Sequence, residues 1–231
     1  MPRRARLEVP GIPLHITQRG VNRGSVFVDD DDRHQYLDLL YKMTVAHEVA
    51  VHAYVLMGNH VHLLATSSEP GAISRAMRRL GQCYAQSFNR KYNRTGPLWE
   101  GRFKSCLVDS DRYLLTVYRY IELNPVRAAL AETPERYRWS SVRGNLGLLS
   151  DSLLTPHPVF LGLGANILRR GHAYRQWLMQ GTHPEELRMV RDYLSQERAL
   201  GSPRFQSMVE KILGRPVGLR PSGRAARDRS A

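Results

Sequence analysis

The sequence predicts an α+β fold in which short strands and amphipathic helices alternate over the first part of the chain. Two hydrophobic patterns support this prediction. Apolar and polar residues alternate in β-rich segments, and apolar residues recur three or four apart in the segments between them. With 231 residues, 42% of them hydrophobic, the chain is long enough to bury a substantial core. The length suits one domain of ordinary size with an appendage.

Four segments have the composition and patterning of strands. The first alternates apolar and polar side chains, as a half-buried strand does. The second and third are β-rich and flank the turn-like pair Gly58-Asn59, so we expect them to form a hairpin. The predicted strands are residues 12–19, 49–57, 60–66 and 103–109.

Three helices are predicted between and after these strands. The run of acids from Asp29 to Asp32 suits a helix N-terminus, and Asp109 or Ser110 could cap the third helix. The elements then follow the order β-α-β-β-α-β-α, which is typical of a ferredoxin-like, split βαβ antiparallel sheet with its helices on one side. The predicted helices are residues 32–47, 71–93 and 111–123.

The character of the sequence changes after Trp139. A stretch rich in glycine, leucine and proline leads into residues 150–213, which we predict to be a small helical appendage with breaks at Gly181 and Pro203. This appendage is either a DNA-binding module of the helix-turn-helix type or a helical brace. The final residues, 214–231, are basic and rich in glycine, proline, arginine and serine, and we expect a disordered tail there.

The chain is strongly basic, with 34 lysines and arginines, 21 acidic residues and a net charge of +13. This excess predicts a polyanionic partner, and nucleic acid is favoured over a membrane surface because no basic amphipathic anchor stands out. No apolar run approaches the length of a membrane span, and the N-terminus lacks the apolar stretch of a secretory signal. Only Cys83 and Cys106 occur, which excludes a disulfide scaffold and a four-cysteine zinc site. We therefore expect a cytoplasmic, nucleoid-associated protein.

The basic excess is concentrated between Gly71 and Ser105, where eight basic residues accompany a single acid. Aromatic residues are interleaved with them, and such rings can stack on unpaired bases. We predict that this block contacts nucleic acid, the alternative being a solvated charged face. The predicted DNA-binding residues are Arg75, Arg78, Arg79, Arg90, Lys91, Arg94, Arg102 and Lys104, and the interleaved aromatics are Tyr84, Phe88, Tyr92, Trp99 and Phe103.

A pair of histidines, His60 and His62, is the first candidate for chemistry. On a strand, residues two apart point to the same face, so both imidazoles can meet one divalent cation. Two neutral imidazoles with open coordination positions suit a catalytic metal site better than a closed structural one. The spacing alone is equally compatible with two histidines on a half-polar sheet face.

Tyr120 and Asn124 form the second candidate. They are four residues apart at the end of the third predicted helix, so they share a face. A tyrosine hydroxyl can attack a phosphodiester and form a covalent phosphotyrosine, with help from a nearby metal ion and basic groups. From spacing alone, Tyr120 is also a typical packing residue with a wet hydroxyl, and Asn124 before Pro125 is a typical N-cap.

Taken together, four segments resemble one family, the REP-associated tyrosine transposases. These are relatives of the single-tyrosine HUH transposases of small bacterial insertion sequences. The resemblance extends over about residues 5–145 and depends on the order and spacing of the four segments. They are Leu14-His15-Ile16-Thr17-Gln18-Arg19-Gly20, residues 54–64 (YVLMGNHVHLL), residues 99–104 (WEGRFK) and residues 120–128 (YIELNPVRA).

The resemblance implies a ferredoxin-like HUH fold for residues 1–145. It also implies metal-dependent cleavage and rejoining of single-stranded DNA, as in a transposase, at or near hairpins. The partner it implies is DNA with REP-like palindromes, and the cofactor is Mg²⁺ or Mn²⁺. The histidine pair of the family falls on His60 and His62, and its nucleophile on Tyr120, which would leave a 5′-phosphotyrosine and a free 3′-hydroxyl. Insertion-sequence relatives have a glutamine as third metal ligand where this chain has the shorter Asn124, and Glu122 is on the wrong side of the helix to replace it.

Other interpretations stay open at this point. A non-catalytic regulator on the same fold would bind hairpins without cutting them, and a metal phosphodiesterase would use water in place of Tyr120. Relatives that act as dimers can exchange the tyrosine helix, so both a monomer and a homodimer are compatible with the sequence. We expect His15 to be a core or DNA-groove residue and not a ligand, and Trp99 and Trp139 to be packing anchors.

Overall fold

A computed structural model describes residues 6–110 and 112–220 of the protein. The chain forms one sheet of five strands with helices on both faces. No helix within the described residues is long and apolar enough to cross a membrane. The strands are β1 (Leu14–Arg19), β2 (Ala50–Met57), β3 (His60–Thr66), β4 (Lys104–Val108) and β5 (Ala199–Leu200). The helices are α1 (Asp30–Ala46), α2 (Ala72–Lys91), α3 (Leu114–Glu122), α4 (Asn124–Arg127), α5 (Val142–Asn145), α6 (Pro158–Leu161), α7 (Ile167–Met179), α8 (Pro184–Ser195) and α9 (Pro203–Leu213). Two 3₁₀ turns cover Val21–Arg23 and Pro134–Arg136.

The strand order is β2-β3-β1-β4-β5. The first four strands pair antiparallel, with β1 in the centre between β3 and β4, and this arrangement confirms the predicted ferredoxin-like α+β fold. Strands β2 and β3 form the predicted hairpin, and all four strands lie within the predicted segments. Helix α1 begins where the acidic run predicted it, since Asp29 and Asp32 form a reciprocal capping box.

The helices lie on both faces of the sheet, which differs from the predicted one-sided arrangement. Helices α1 and α2 pack on the face that carries Ile16 and Leu63, and α3, α7 and α8 pack on the face that carries Leu64 and Cys106. The adjacent leucines Leu63 and Leu64 point to opposite faces and are both buried. Because both faces of the central strands are apolar, the sheet needs cover on both sides.

The C-terminal helices are joined to the sheet through β5. This strand pairs parallel with β4, and Leu107 opposes Ala199 across the pair. The Asp109 carboxylate, a predicted cap of α3, instead accepts hydrogen bonds from the backbone amide and hydroxyl of Ser202 at the start of α9. Helix α3 begins at Leu114 without a side-chain cap. The connection between α8 and α9 is therefore a strand of the main sheet and not the short turn of a helix-turn-helix.

A buried ion pair attaches α8 to α3. The Arg119 guanidinium is only 2% exposed, and its Nη2 donates to both carboxylate oxygens of Glu186, at 2.9 and 2.8 Å. It also lies 4.3 Å from the ring centroid of Trp177 in α7 and donates to the Trp177 carbonyl. These contacts fix the C-terminal helices against the helix that carries Tyr120.

The beginning of the predicted tail is folded. Val217 is fully buried, and its carbonyl accepts a hydrogen bond from the Ala199 amide. The Arg215 guanidinium donates to the Arg6 carbonyl. The segment predicted to be disordered from Gly214 is therefore held by the sheet edge as far as residue 220, and residues 221–231 lie outside the described residues.

Candidate active site

An open cleft of about 720 Å³ lies on the α3 side of the sheet, between β1, β3, the residues that precede β4, and helices α3 and α8. Its lining combines imidazole, phenol, carboxamide and basic groups. Six residues predicted from the sequence line it together: His60, His62, Tyr120, Asn124, Arg102 and Lys104. The cleft thus brings the candidate metal ligands, the candidate nucleophile and two candidate phosphate-binding groups into one place.

The histidine pair lies on one face of β3, as the spacing predicted, with ring centroids 5.1 Å apart. His60 is half-buried, and burial lowers its pKa to about 4, with a smaller contribution from the charge of Arg19. His62 is 4% exposed, and burial is the main cause that holds its pKa well below the ordinary range. Both imidazoles are therefore neutral near pH 7, the state in which a ring nitrogen can bind a metal ion.

His15 on the central strand contacts His62. It is fully buried, as expected for a core residue, and its Nε2 lies 2.9 Å from Nδ1 of His62. Burial lowers the pKa of His15 to about 3, so this imidazole is also neutral. His15 does not line the cleft.

Tyr120 faces the histidines from α3. Its ring meets the rings of His15 and His62 edge-on, with centroid distances of 5.5 and 5.6 Å. The side chain is 6% exposed, and its hydroxyl is hydrogen-bonded to no other residue in the described part of the chain. The histidine pair and the tyrosine of one chain therefore meet at the same cleft.

Arg127 holds the tyrosine from the other side, and the sequence reasoning gave it no role. Its guanidinium lies 4.6 Å from the centroid of the Tyr120 ring, and Nη2 donates to the Tyr120 carbonyl at 2.5 Å. Burial lowers the pKa of Arg127 to about 10, so the group remains a cation at neutral pH. The spacing of seven residues, two helical turns, was the available signal that Arg127 and Tyr120 share a side.

Asn124 and Glu122 lie on different sides of the chain at the end of α3. Asn124 lines the cleft, whereas Glu122 is fully buried away from it. The Glu122 carboxylate accepts hydrogen bonds from Ser141, Asn145 and Tyr174. Of the two, only Asn124 is placed to contribute an oxygen ligand in the cleft.

The cleft offers a mixed donor set for a divalent cation. Within residues 6–110 and 112–220, no three or more histidine, cysteine, aspartate or glutamate side chains are grouped to hold a metal ion. The donors predicted from the sequence are the two neutral imidazoles of His60 and His62 and the carboxamide oxygen of Asn124, and all three residues line the cleft. These donors fit a divalent cation that keeps coordination positions for phosphate oxygens, and imidazole ligands favour transition metals over Mg²⁺.

The structure separates the predicted DNA-binding residues into two groups. Arg102 and Lys104 line the cleft, and Arg19 and Arg191 add two further basic groups there. The other six belong to α2 or the residues just after it, on the opposite face of the sheet. One of them, Lys91, pairs with the carboxylates of Asp29 and Asp32. The other five are Arg75, Arg78, Arg79, Arg90 and Arg94.

Four of the five interleaved aromatics are buried and are therefore not exposed for stacking on bases, which for Trp99 agrees with the expected packing role. Tyr84, Phe88, Trp99 and Phe103 are all buried, at 9% exposure or less. The Tyr84 hydroxyl donates to the Val26 carbonyl, and the Trp99 indole donates to the Gly81 carbonyl. Tyr84, Phe88 and Trp99 lie in the core beneath α2 because the apolar stripe of an amphipathic helix packs on the sheet, whereas Phe103 lines the cleft. Trp99 and Trp139 are packing residues, as expected.

Helix α8 forms a wall of the cleft that the sequence did not reveal. Arg191, Ser195 and Glu197 from α8 and the residues after it line the cleft opposite β1 and β3. Their position depends on the pairing of β5 with β4 and on the Arg119–Glu186 ion pair. No local pattern in the sequence indicates contacts over such a separation.

The fold and the cleft together define the class of protein: a ferredoxin-like, HUH-type protein with a histidine pair on a strand and a tyrosine on the facing helix. A family model described as "Transposase IS200 like" matches residues 8–124, about half of the chain. The protein therefore belongs to the IS200-like transposase family. The matched segment contains the histidine pair, the tyrosine and Asn124.

One solved structure shows the same fold, and a second is similar over part of the chain. A REP-associated tyrosine transposase bound to a REP hairpin is 18% identical, with a TM-score of 0.54 over 69% of this chain and 90% of that one. A candidate transposase from Deinococcus radiodurans R1 is also 18% identical, with a TM-score of 0.37 over 59% of this chain and 98% of that one. No curated protein matches the chain significantly in sequence.

Proposed function

We propose that the protein is a divalent-metal-dependent single-strand DNA endonuclease and strand transferase that cleaves at or near hairpins. The observation that carries this proposal is the position of Tyr120 beside His62, with ring centroids 5.6 Å apart, in a cleft that also contains Arg102 and Lys104. A nucleophile, two neutral imidazoles and phosphate-binding cations are the groups that cleavage of a phosphodiester requires.

In the proposed reaction, Tyr120 is the nucleophile. A divalent cation held by His60, His62 and Asn124 would polarise the scissile phosphate and neutralise its developing charge. The Tyr120 oxygen forms a bond to phosphorus, and the bond from phosphorus to the 3′ oxygen breaks. The phenol loses one proton and the leaving 3′ oxygen gains one, which makes it a hydroxyl. The products are a 5′-phosphotyrosine and a free 3′-hydroxyl, and attack by a 3′-hydroxyl in the reverse direction rejoins the strand.

Arg127 is proposed to hold the Tyr120 ring in the orientation for attack. The guanidinium contacts both the ring face and the carbonyl of the same residue, so it restrains the side chain and the backbone together. A cation over an aromatic ring stabilises the contact by about 0.5–2 kcal/mol, depending on how far it is desolvated. Such restraint reduces the conformational freedom that the nucleophile must lose before it reacts.

The basic groups are proposed to bind DNA in two places. Arg102, Lys104 and Arg191 would contact phosphates of the single strand in the cleft, where the C-terminal segment serves as a DNA-binding wall. The exposed basic residues on and after α2 would contact the backbone of the hairpin stem outside the cleft. A solved structure with the same fold holds a REP hairpin, which supports DNA with REP-like palindromes as the substrate.

Cleavage assays with hairpin-bearing single strands from the DNA that flanks the gene test the proposal. Wild type, Tyr120→Phe and His60→Ala are incubated with Mn²⁺ or Mg²⁺ and resolved on denaturing gels. We expect a protein-linked DNA band in wild type that both variants lack. Tyr41→Phe removes the hydroxyl of an exposed tyrosine on the opposite face, and it serves as the matched control with full activity.

Other outcomes contradict the proposal in distinguishable ways. Cleavage that persists in Tyr120→Phe without a covalent adduct would identify water as the nucleophile. Hairpin binding without cleavage, indifferent to Tyr120 and to a chelator, would identify a non-catalytic regulator.

A further inference from the structure

The Nδ1 atom of each histidine in the pair has a partner of its own. Nδ1 of His60 lies 2.6 Å from the carboxamide oxygen of Asn59, and Nδ1 of His62 lies 2.9 Å from Nε2 of His15. Asn59 is in the turn between β2 and β3, whereas His15 is on the neighbouring strand β1. The turn and strand β1 therefore each contact the Nδ1 atom of one imidazole. Neither Asn59 nor His15 contacts an Nε2 atom of the pair.

The Asn59 carboxamide restricts His60 to one tautomer. Its nitrogen donates to the Arg23 carbonyl at 3.0 Å, which fixes which end of the carboxamide faces His60. A carbonyl oxygen only accepts hydrogen bonds, so Nδ1 of His60 must carry the proton. A neutral imidazole has one N–H, and Nε2 of His60 then presents its lone pair.

The contact between His15 and His62 permits two proton arrangements. If His15 donates, His62 carries its proton on Nε2 and cannot bind a metal ion there. If His62 donates from Nδ1, its Nε2 presents a lone pair and the proton of His15 is on Nδ1. That Nδ1 atom is buried and has no hydrogen-bond partner among the described residues, so no other group restricts His15 to one arrangement.

We infer that Asn59 and His15 are positioning residues. Asn59 sets the tautomer of His60, and His15 orients the His62 ring and can accept its Nδ1 proton, so that both Nε2 atoms are available to one cation. The inference deepens the proposed metal site and rests on it. The register of the sheet makes the contact possible, because His15 lies two residues from Thr17, the β1 partner of His62. Such outer-sphere partners typically change metal affinity by about 10–100-fold when they are removed.

The first test measures tautomers in the metal-free protein. Long-range ¹H–¹⁵N correlation spectra of histidine-labelled protein show which nitrogen of each ring carries the proton, and single substitutions assign the signals. We expect His60 with its proton on Nδ1 in wild type and a mixture of tautomers in Asn59→Leu. A wild-type His60 protonated on Nε2 would overturn the inference for Asn59.

The second test measures Mn²⁺ affinity by calorimetry on the full-length protein without DNA. We expect Asn59→Leu and His15→Leu each to weaken binding about 10–100-fold. His15→Gln and Asn59→Asp, which keep an acceptor near the original atom, should bind almost as wild type does. Unchanged affinity in His15→Leu, or no rescue by His15→Gln in a folded protein, would overturn the role of His15, and a wild-type protein that binds no Mn²⁺ would overturn the whole inference.

His52→Leu separates metal positioning from simple loss of a buried histidine. His52 is 3% exposed on β2, and its ring nitrogens contact the Thr155 carbonyl and the Thr66 hydroxyl, away from the cleft. We expect this variant to lose thermal stability while its Mn²⁺ affinity stays unchanged. The tests need no DNA cleavage, so a protein that binds Mn²⁺ as expected but cuts no hairpin would refute the proposed function and leave this inference standing.

Discussion

Replacement of the buried carboxylate Glu122 by glutamine should make the protein more stable at alkaline pH. Glu122 is fully buried, and burial raises its pKa from 4.5 to about 7 even though three hydrogen bonds favour the charged form. Ser141 and Asn145 donate to Oε1, and the Tyr174 hydroxyl donates to Oε2. A glutamine of the same shape can accept the first two bonds with its oxygen and donate to the Tyr174 oxygen with its nitrogen.

The sign follows from the direction of the pKa shift. Because the native state holds the Glu122 proton more tightly than the unfolded state, its contribution to stability is complete below about pH 4.5. That contribution is lost as the pH rises through about 7. A pKa difference of this size corresponds to about 3 kcal/mol of unfolding free energy. Glutamine does not titrate, so Glu122→Gln should match wild type near pH 4.5 and exceed its stability by as much as about 3 kcal/mol at pH 8.5.

Urea denaturation of both proteins at pH 4.5, 6 and 8.5 measures this difference. The quantity to compare is the unfolding free energy of the variant minus that of wild type, because other groups titrate equally in both proteins. Glu132→Gln, which removes an exposed carboxylate paired with Arg136, serves as the control for loss of a carboxylate at the surface. A difference that stays constant from pH 4.5 to 8.5, or a variant less stable at pH 8.5 than wild type, would refute the reasoning.

Two further predictions concern α8. Glu186→Gln leaves the buried Arg119 guanidinium without its counter-charge, and since Glu186 is itself 25% exposed, we expect a loss of about 3 kcal/mol. Calorimetry should show a melting temperature lower by roughly 6–12 °C, and a fall of under about 2 °C would contradict the role given to this pair. Arg191→Gln should weaken single-strand binding equally for all sequences and reduce the slope of log K against log salt by about 1. Titrations at several salt concentrations measure this slope. Arg169→Gln, at an exposed position of α7 outside the cleft, should leave the slope unchanged.

The elements of the first half of the chain were predictable because their signals are local. The apolar stripe of residues 71–93 specifies α2 by its own spacing, and the β-rich runs on either side of Gly58-Asn59 specify the hairpin. The acidic run specifies the start of α1 through a side-chain cap within the same four residues. Each of these features depends on residues that are close together in sequence.

The geometry of the cleft was less accessible because it depends on pairing between distant segments. The spacing of His60 and His62 placed both on one face of a strand, but the contact with His15 needs the register of β1 on β3. The proximity of Tyr120 followed only from resemblance to a family, since no local pattern states how α3 packs on the sheet. The buried ion pair of Arg119 and Glu186 spans 67 residues and has no sequence signal.

The expectation that helices cover only one face of the sheet came from the order of the predicted elements, and it was wrong. Strand β1 carries His15 and Thr17, and β3 carries His60 and His62, on the face that reads as half-polar. Polar residues on alternate positions normally indicate a face open to water. Here Thr17, His60 and His62 line the cleft and His15 is buried, while Leu64 and Cys106 on the same face are buried under α3 and the C-terminal helices. The order of the predicted elements indicated a single helical layer, and it did not reveal that α3 and the C-terminal helices cover the other face.

The division of labour along the chain follows from where the matched family segment ends. Residues 8–124 include the histidine pair, Tyr120 and Asn124, so every group proposed to touch the reacting atoms lies inside it. The wall formed by α8 lies outside, and it is fixed to α3 by Arg119 and to the sheet edge by β5. A change in α8 can alter the shape and charge of the cleft without moving Tyr120. We therefore expect relatives that share the chemistry to differ in the DNA they accept through this C-terminal wall.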